Sequence, residues 1–177
     1  MIKTYNWNSL NEKQQKQLLA RPSSDNYELE LQVDKIINQV KTAGDVALRQ
    51  LTEQYDRVIV SNSLVTEQEY ESAELNLKKD QIDAIEVAIT RITNYQKACY
   101  PKPILLDSKD GIVCSRVPMA IERVGLYVPG GTAPLLSTVM MLAIPAQIAN
   151  CGTRVLCTPP NNQGSINPLI LATAKRC

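Results

Sequence analysis

The chain has no histidine, no phenylalanine and a single tryptophan in its 177 residues. Without imidazole, a metal site would need thiolates and carboxylates that converge on one point, and no spacing in the sequence supplies a convincing set. The cysteines, Cys99, Cys114, Cys151, Cys157 and Cys177, form no C-x-x-C pair, and the interval from Cys151 to Cys157 is unlike that of a zinc ribbon. Cys114 and Cys157 fall on predicted strands, which leaves two readings open. One is a thiolate that attacks an aldehyde; the simpler one is a buried, inert, small apolar residue, because a nucleophilic thiolate needs a base or cation beside it. Their odd number, with no paired spacing and no secretory signal, points to a reducing, cytoplasmic setting. The scarcity of aromatic rings leaves core packing to Leu, Ile, Val and Met.

An excess of one charge is also missing, since 19 Lys and Arg face 18 Asp and Glu. That balance excludes the basic footprint of a nucleic-acid or anionic-membrane binder. The longest apolar run, 135–148, is broken by Ser137, Thr138, Pro145 and Gln147 and is too short to span a membrane. There is no internal repeat and no low-complexity linker.

What the chain does have begins with helices. Ser9-x-x-Glu12 has the form of a capping box opening a short helix through Leu19, with Arg21-Pro22 as its stop. Leu29, Val33, Ile36, Ile37 and Val40 lie on one helical face and are expected to be buried, with Gly44 as the stop or as the joint to a helix over 45–55. Thr66-x-x-Glu69 caps a further helix. Ile82, Ile85, Ile89, Ile92 and Gln96 trace the stripe of a longer one that Pro101 closes. Residues 104–106 and 112–114, around an Asp107-to-Gly111 turn, read as a hairpin. Asp107 and Asp110 belong to that turn's chemistry. Glu53, Glu67, Glu69, Glu71 and Glu74 read as solvated helix faces.

The most informative stretch follows, 123–160. Val124, Leu126 and Val128 alternate with Gly125 and Tyr127 and run into Pro129-Gly130-Gly131, which predicts a strand and a tight turn. Thr132 is placed to cap a helix over 134–149 that is apolar nearly all round, with a kink or early stop at Pro145 and an end at Gly152. Residues 154–158 predict a second strand ended by Pro159-Pro160, and a helix opens over 165–177. The order strand, helix, strand, helix is that of an α/β unit with a parallel sheet. It lacks the G-x-G-x-x-G turn and the acidic residue at the end of the second strand that a general dinucleotide site requires. Taken as a bare pattern, two glycines after a strand also suit a structural turn, and Tyr127 also suits a strand tyrosine with its hydroxyl at the surface.

The words GLYVPGGTAPLLSTVMMLAIPAQIA and VLCTPP resemble the corresponding stretch of the histidinol dehydrogenases. Asn6-Trp7-Asn8-Ser9 and QQKQLLARP at 14–22 resemble the bacterial branch of that family. The resemblance implies an NAD-dependent, zinc-bound enzyme that oxidises L-histidinol through the aldehyde to L-histidine, the last step of histidine biosynthesis. It implies two incomplete Rossmann-like domains, with smaller C-terminal elements that help complete a neighbour's site in a homodimer. Carried over to this sequence, it makes Tyr127 a cofactor contact. By position, Pro129, Gly130 and Gly131 approach NAD through backbone atoms, and Ser137 lies toward the substrate pocket. The family's Glu-His acid–base pair, its zinc ligands and its remaining cofactor contacts fall further along than this chain extends, so no catalytic or metal residue is assigned here.

The expected fold is therefore α/β: an N-terminal arm (1–22), the helical and β-hairpin opening of a first domain (23–122), and a truncated parallel βαβα unit (123–177). A sheet left with two parallel strands would expose apolar surface. The sequence also stops inside a helical pattern with no cap or polar tail, as a cut would leave it. The expected function is that of the N-terminal part of a histidinol dehydrogenase, inactive alone. The alternative is a non-enzymatic module that binds a nucleotide or a partner through the same βα unit.

Overall fold

The computed structural model describes residues 3–20, 26–130 and 133–177. It divides into two compact units, Met1–Gly44 and Asp45–Cys177.

In the first unit a 3-10 turn, Trp7–Ser9, precedes helix α1, Glu12–Leu19. The capping box is not the expected Ser9 pair. Asn11 Oδ1 accepts from Gln14 N at 2.9 Å and Gln14 Oε1 accepts from Asn11 N at 3.0 Å. Asn is at least as good a cap as Ser, and Gln reciprocates as well as Glu. The Ser9 hydroxyl donates instead to the Asn6 carbonyl. The expected stop at Arg21-Pro22 lies outside the described residues. Helix α2, Tyr27–Asp56, is interrupted at Gly44, whose φ of 52° and ψ of −130° make it the joint between two helical segments. Such a backbone suits a residue without a Cβ. The burial expected for Leu29, Val33 and Ile37 is not found, since all three are exposed. A single amphipathic helix has no second layer of its own to cover its apolar stripe.

In the second unit, helix α3, Glu67–Leu75, opens with the expected capping box. Glu69 Oε2 accepts from Thr66 N at 2.7 Å and from Thr66 Oγ1 at 2.8 Å, while Glu69 N donates back to Thr66 Oγ1 at 3.3 Å. The backbone bond from Thr66, then the hydroxyl bond, hold the Glu69 carboxyl below its ordinary 4.5. Helix α4, Lys79–Cys99, carries the isoleucine stripe, of which Ile85 is buried. Strands β1, Ile104–Asp107, and β2, Val113–Arg116, pair antiparallel with Leu106 opposite Cys114. Asp107 Oδ1 accepts from Lys109 N, and Asp110 accepts from the Ser108 hydroxyl and from Ile112 N. These carboxylates shape the turn, as expected.

Strand β3, Arg123–Tyr127, lies parallel to β4, Thr153–Cys157, in the register Tyr127 opposite Cys157 and Leu126 opposite Leu156. Helix α5, Leu136–Ile148, connects them. It begins at an N-cap of Leu135, later than a Thr132 cap implied, and Thr132 itself is outside the described residues. Pro145 does not stop the helix, which continues to Ile148. Its end is a Schellman turn at Asn150, not at Gly152: Asn150 has φ 64°, and Cys151 N donates to Ala146 O and Asn150 N to Gln147 O, both at 3.0 Å. Asn tolerates the left-handed conformation that this turn requires. Helix α6, Pro168–Arg176, starts three residues later than expected because Asn167 caps it, accepting from Leu169 N at 2.9 Å, with Pro168 in the first turn.

Two apolar clusters meet on α5. Met140 and Ile144 pack with Ile85 of α4, while Val139 packs with Val128 of the turn after β3 and Ile170 of α6. This double burial accounts for a helix that is apolar nearly all round, although Met141 stays exposed. Ion pairs add a second tie between elements. Lys175 Nζ lies 3.1 Å from Glu67 and 3.5 Å from Glu74, and Arg176 lies 2.8 Å from Glu74 and 3.0 Å from Glu86. Glu67 and Glu74 thus bridge α3 to α6 and are not merely solvated. The hydrogen bond to Glu67, ahead of the charges of Glu67 and Glu74, raises the Lys175 pKa.

Because the folded-state pKa of Glu69 is lowered, its share of stability is full above the ordinary value and is lost as pH falls through the lowered one. Thr66→Ala should therefore cost roughly 1 kcal/mol near neutral pH. Urea unfolding of the two proteins should show that gap narrowing toward about pH 3; a gap of constant size across the titration would refute the coupling.

Candidate functional site

Parallel strands present ligands at their carboxyl ends, where the following turns leave backbone groups unpaired. Here the ladder extends one residue past β3, because Val128 N donates to Cys157 O at 2.9 Å. Val128 is fully buried, Leu126 is buried beside it, and Tyr127 between them points to the opposite face with 64% of its surface exposed. That face of β3–β4 carries Tyr127 and the exposed Val155. Pro129 and Gly130 follow, both exposed, while Gly131 lies outside the described residues.

Gly130 meets the turn that follows β4. A Cβ at Gly130 would stand 2.7 Å from Pro159 Cγ, inside any tolerated contact, so glycine is required for this approach. Beside the contact lies an open groove of about 750 Å³, lined by residues that include Tyr55, Asp56, Gly130, Pro159, Asn161 and Gln163. That size is in the range of small-molecule sites, about 300–1,000 Å³. Its far wall is fixed by a loop that ties itself together: Asn161 Oδ1 accepts from Gln163 N, Ser165 N and Ser165 Oγ, and Gly164 N donates to Asn161 O. Gly164, at φ 76°, sits against the buried Val58, where an added Cβ would lie 3.3 Å from Val58 Cγ1. This contact anchors the end of α2, and hence Tyr55 and Asp56, at the groove.

Of the residues expected at the site, the structure brings Gly130 to the groove lining, whereas Tyr127, Pro129 and Ser137 are exposed near the same strand edge without lining it. Ser137 lies in the first turn of α5. Leu135 offers this helix no side-chain cap. Tyr55, Asp56 and Asn161 were not singled out from the sequence, because Tyr55 and Asp56 reach the groove only through the fold. Asn161 carried a readable signal, since Asn before a Gly within a few residues is turn chemistry.

The cysteines are free thiols. Cys114 and Cys157 are exposed, against the expectation of buried, inert residues, because the hairpin and one face of the β3–β4 pair have no covering layer among the described residues. Cys177 is half-buried; desolvation, then the charge of Glu86, pushes it up to about 11. Among the described residues no three His, Cys, Asp or Glu side chains are grouped so as to hold a metal ion. Among them, too, no helix is long and apolar enough to cross a membrane.

The sequence profile of the histidinol dehydrogenases matches residues 19–177. The chain belongs to the histidinol dehydrogenase family. It is 43% identical over 177 residues to the histidinol dehydrogenase of Vibrio vulnificus (strain CMCP6), covering 99% of this chain and 40% of the relative. It is 40% identical over 178 residues to that of Legionella pneumophila subsp. pneumophila (strain Philadelphia 1), covering 100% of this chain and 41% of the relative. The crystal structure of histidinol dehydrogenase from Elizabethkingia anophelis superposes with a TM-score of 0.85 at 34% identity, covering 94% of this chain and 39% of that one. The chain thus spans about two fifths of the length of these family members and corresponds to their N-terminal portion. The α/β fold, with its helical opening, hairpin and parallel βαβα unit, matches that of this solved histidinol dehydrogenase.

Substitution of Gly130 should be costly where that of Gly125 is not, since an added Cβ at Gly125 meets nothing within 4 Å. Gly130→Ala is expected to lose about 1–3 kcal/mol. Gly125→Ala should melt within a degree or two of the parent, and equal melting temperatures for the two variants would contradict the close approach to Pro159.

Proposed function

We propose that this chain forms the cofactor-contacting N-terminal part of an NAD-dependent oxidation of L-histidinol through the aldehyde to L-histidine, the last step of histidine biosynthesis. The observation that carries this reading is the strand edge itself. A family-matching Tyr127-to-Gly130 turn stands exposed at the carboxyl end of a parallel pair, beside an open groove.

Tyr127 supplies an aromatic face and a hydroxyl to NAD. Pro129, Gly130 and Gly131 let the cofactor approach the backbone closely, as glycine does in phosphate-binding turns. The early N–H groups of α5 form the positive end of a helix dipole that favours an anionic group. Ser137, exposed in that first turn, lies toward L-histidinol. Bound NAD supplies the hydride acceptor; this chain's residues orient it and hold no proton in the reaction.

Zinc belongs to the complete enzyme in this reading. The donor set here does not suit it, given the absence of histidine and of a grouped set of carboxylates and thiolates among the described residues. The acid–base pair and the zinc ligands are therefore assigned to the part of the enzyme beyond this segment, and the homodimer to the complete protein. Within that protein, 1–22, 23–122 and 123–177 are taken as arm, first-domain opening and second-domain half. Five free thiols support a cytoplasmic setting.

The 177-residue chain supplied with NAD, L-histidinol and zinc should form no NADH, and absorbance growth dependent on histidinol would overturn the division of labour. In a histidinol dehydrogenase that carries this segment, Tyr127→Ala should weaken NAD binding by about tenfold with zinc content unchanged. Calorimetric titration together with metal analysis reads both, and unaltered NAD affinity would remove Tyr127 from the site.

A further inference from the structure

We draw no further inference here: the strongest candidate, the apolar cavity of about 240 Å³ between the carboxyl ends of α4 and α5, lined by Cys99, Tyr100, Met119 and Ile148 among others, carries none because nothing in the structure shows what covers it.

Discussion

Helix α5 is the element on which the second unit depends. Its residues are apolar on nearly every face because it is the shared partner of two clusters, one with Ile85 of α4 and one with Val128 and Ile170 beneath the parallel strands. Losing either contact would leave Met140 and Ile144, or Val139, facing water, at about 1.5–3 kcal/mol for each large side chain. The strand edge has its shape as a consequence. Val128 is the last residue pinned into the core, so the chain beyond it, from Pro129, is free to turn outward.

The edge also depends on two close backbone approaches. Gly130 lies against Pro159, which fixes the distance between the turns after β3 and β4. Gly164 lies against Val58, which fixes the end of α2 beside them. Neither contact contributes much energy by itself. Both determine geometry: a Cβ at Gly130 would fall on Pro159, and one at Gly164 would press on Val58. The groove is what remains between these constraints, and its lining therefore mixes residues far apart in sequence.

The segment's polarity follows a consistent division. The parallel pair is covered by α5 and α6 on the face of Leu126 and Val128, while the face of Tyr127 and Val155 is open. Parallel sheets are ordinarily covered on both faces. An open second face accords with a chain that spans about two fifths of its relatives' length.

Several features are legible in the sequence itself. The Thr66-x-x-Glu69 box, the isoleucine stripe of α4, the hairpin and the strand–helix–strand–helix order all follow from local chemistry: cap hydrogen bonds, the 3.6 period, turn residues and strand alternation. The VPGG turn identified the family because a long run of residue types is constrained there at once. Other choices depended on competition between near-equal local options. Asn11 displaced Ser9 as a cap, and Asn150 displaced Gly152 as a helix end, because each alternative sits within two residues and satisfies the same backbone groups. What the tertiary structure alone decided is the company each residue keeps. That Asp56 and Tyr55 stand beside Gly130, and that Glu74 pairs with Arg176, follows from packing across more than seventy residues of chain, to which neither periodicity nor capping refers.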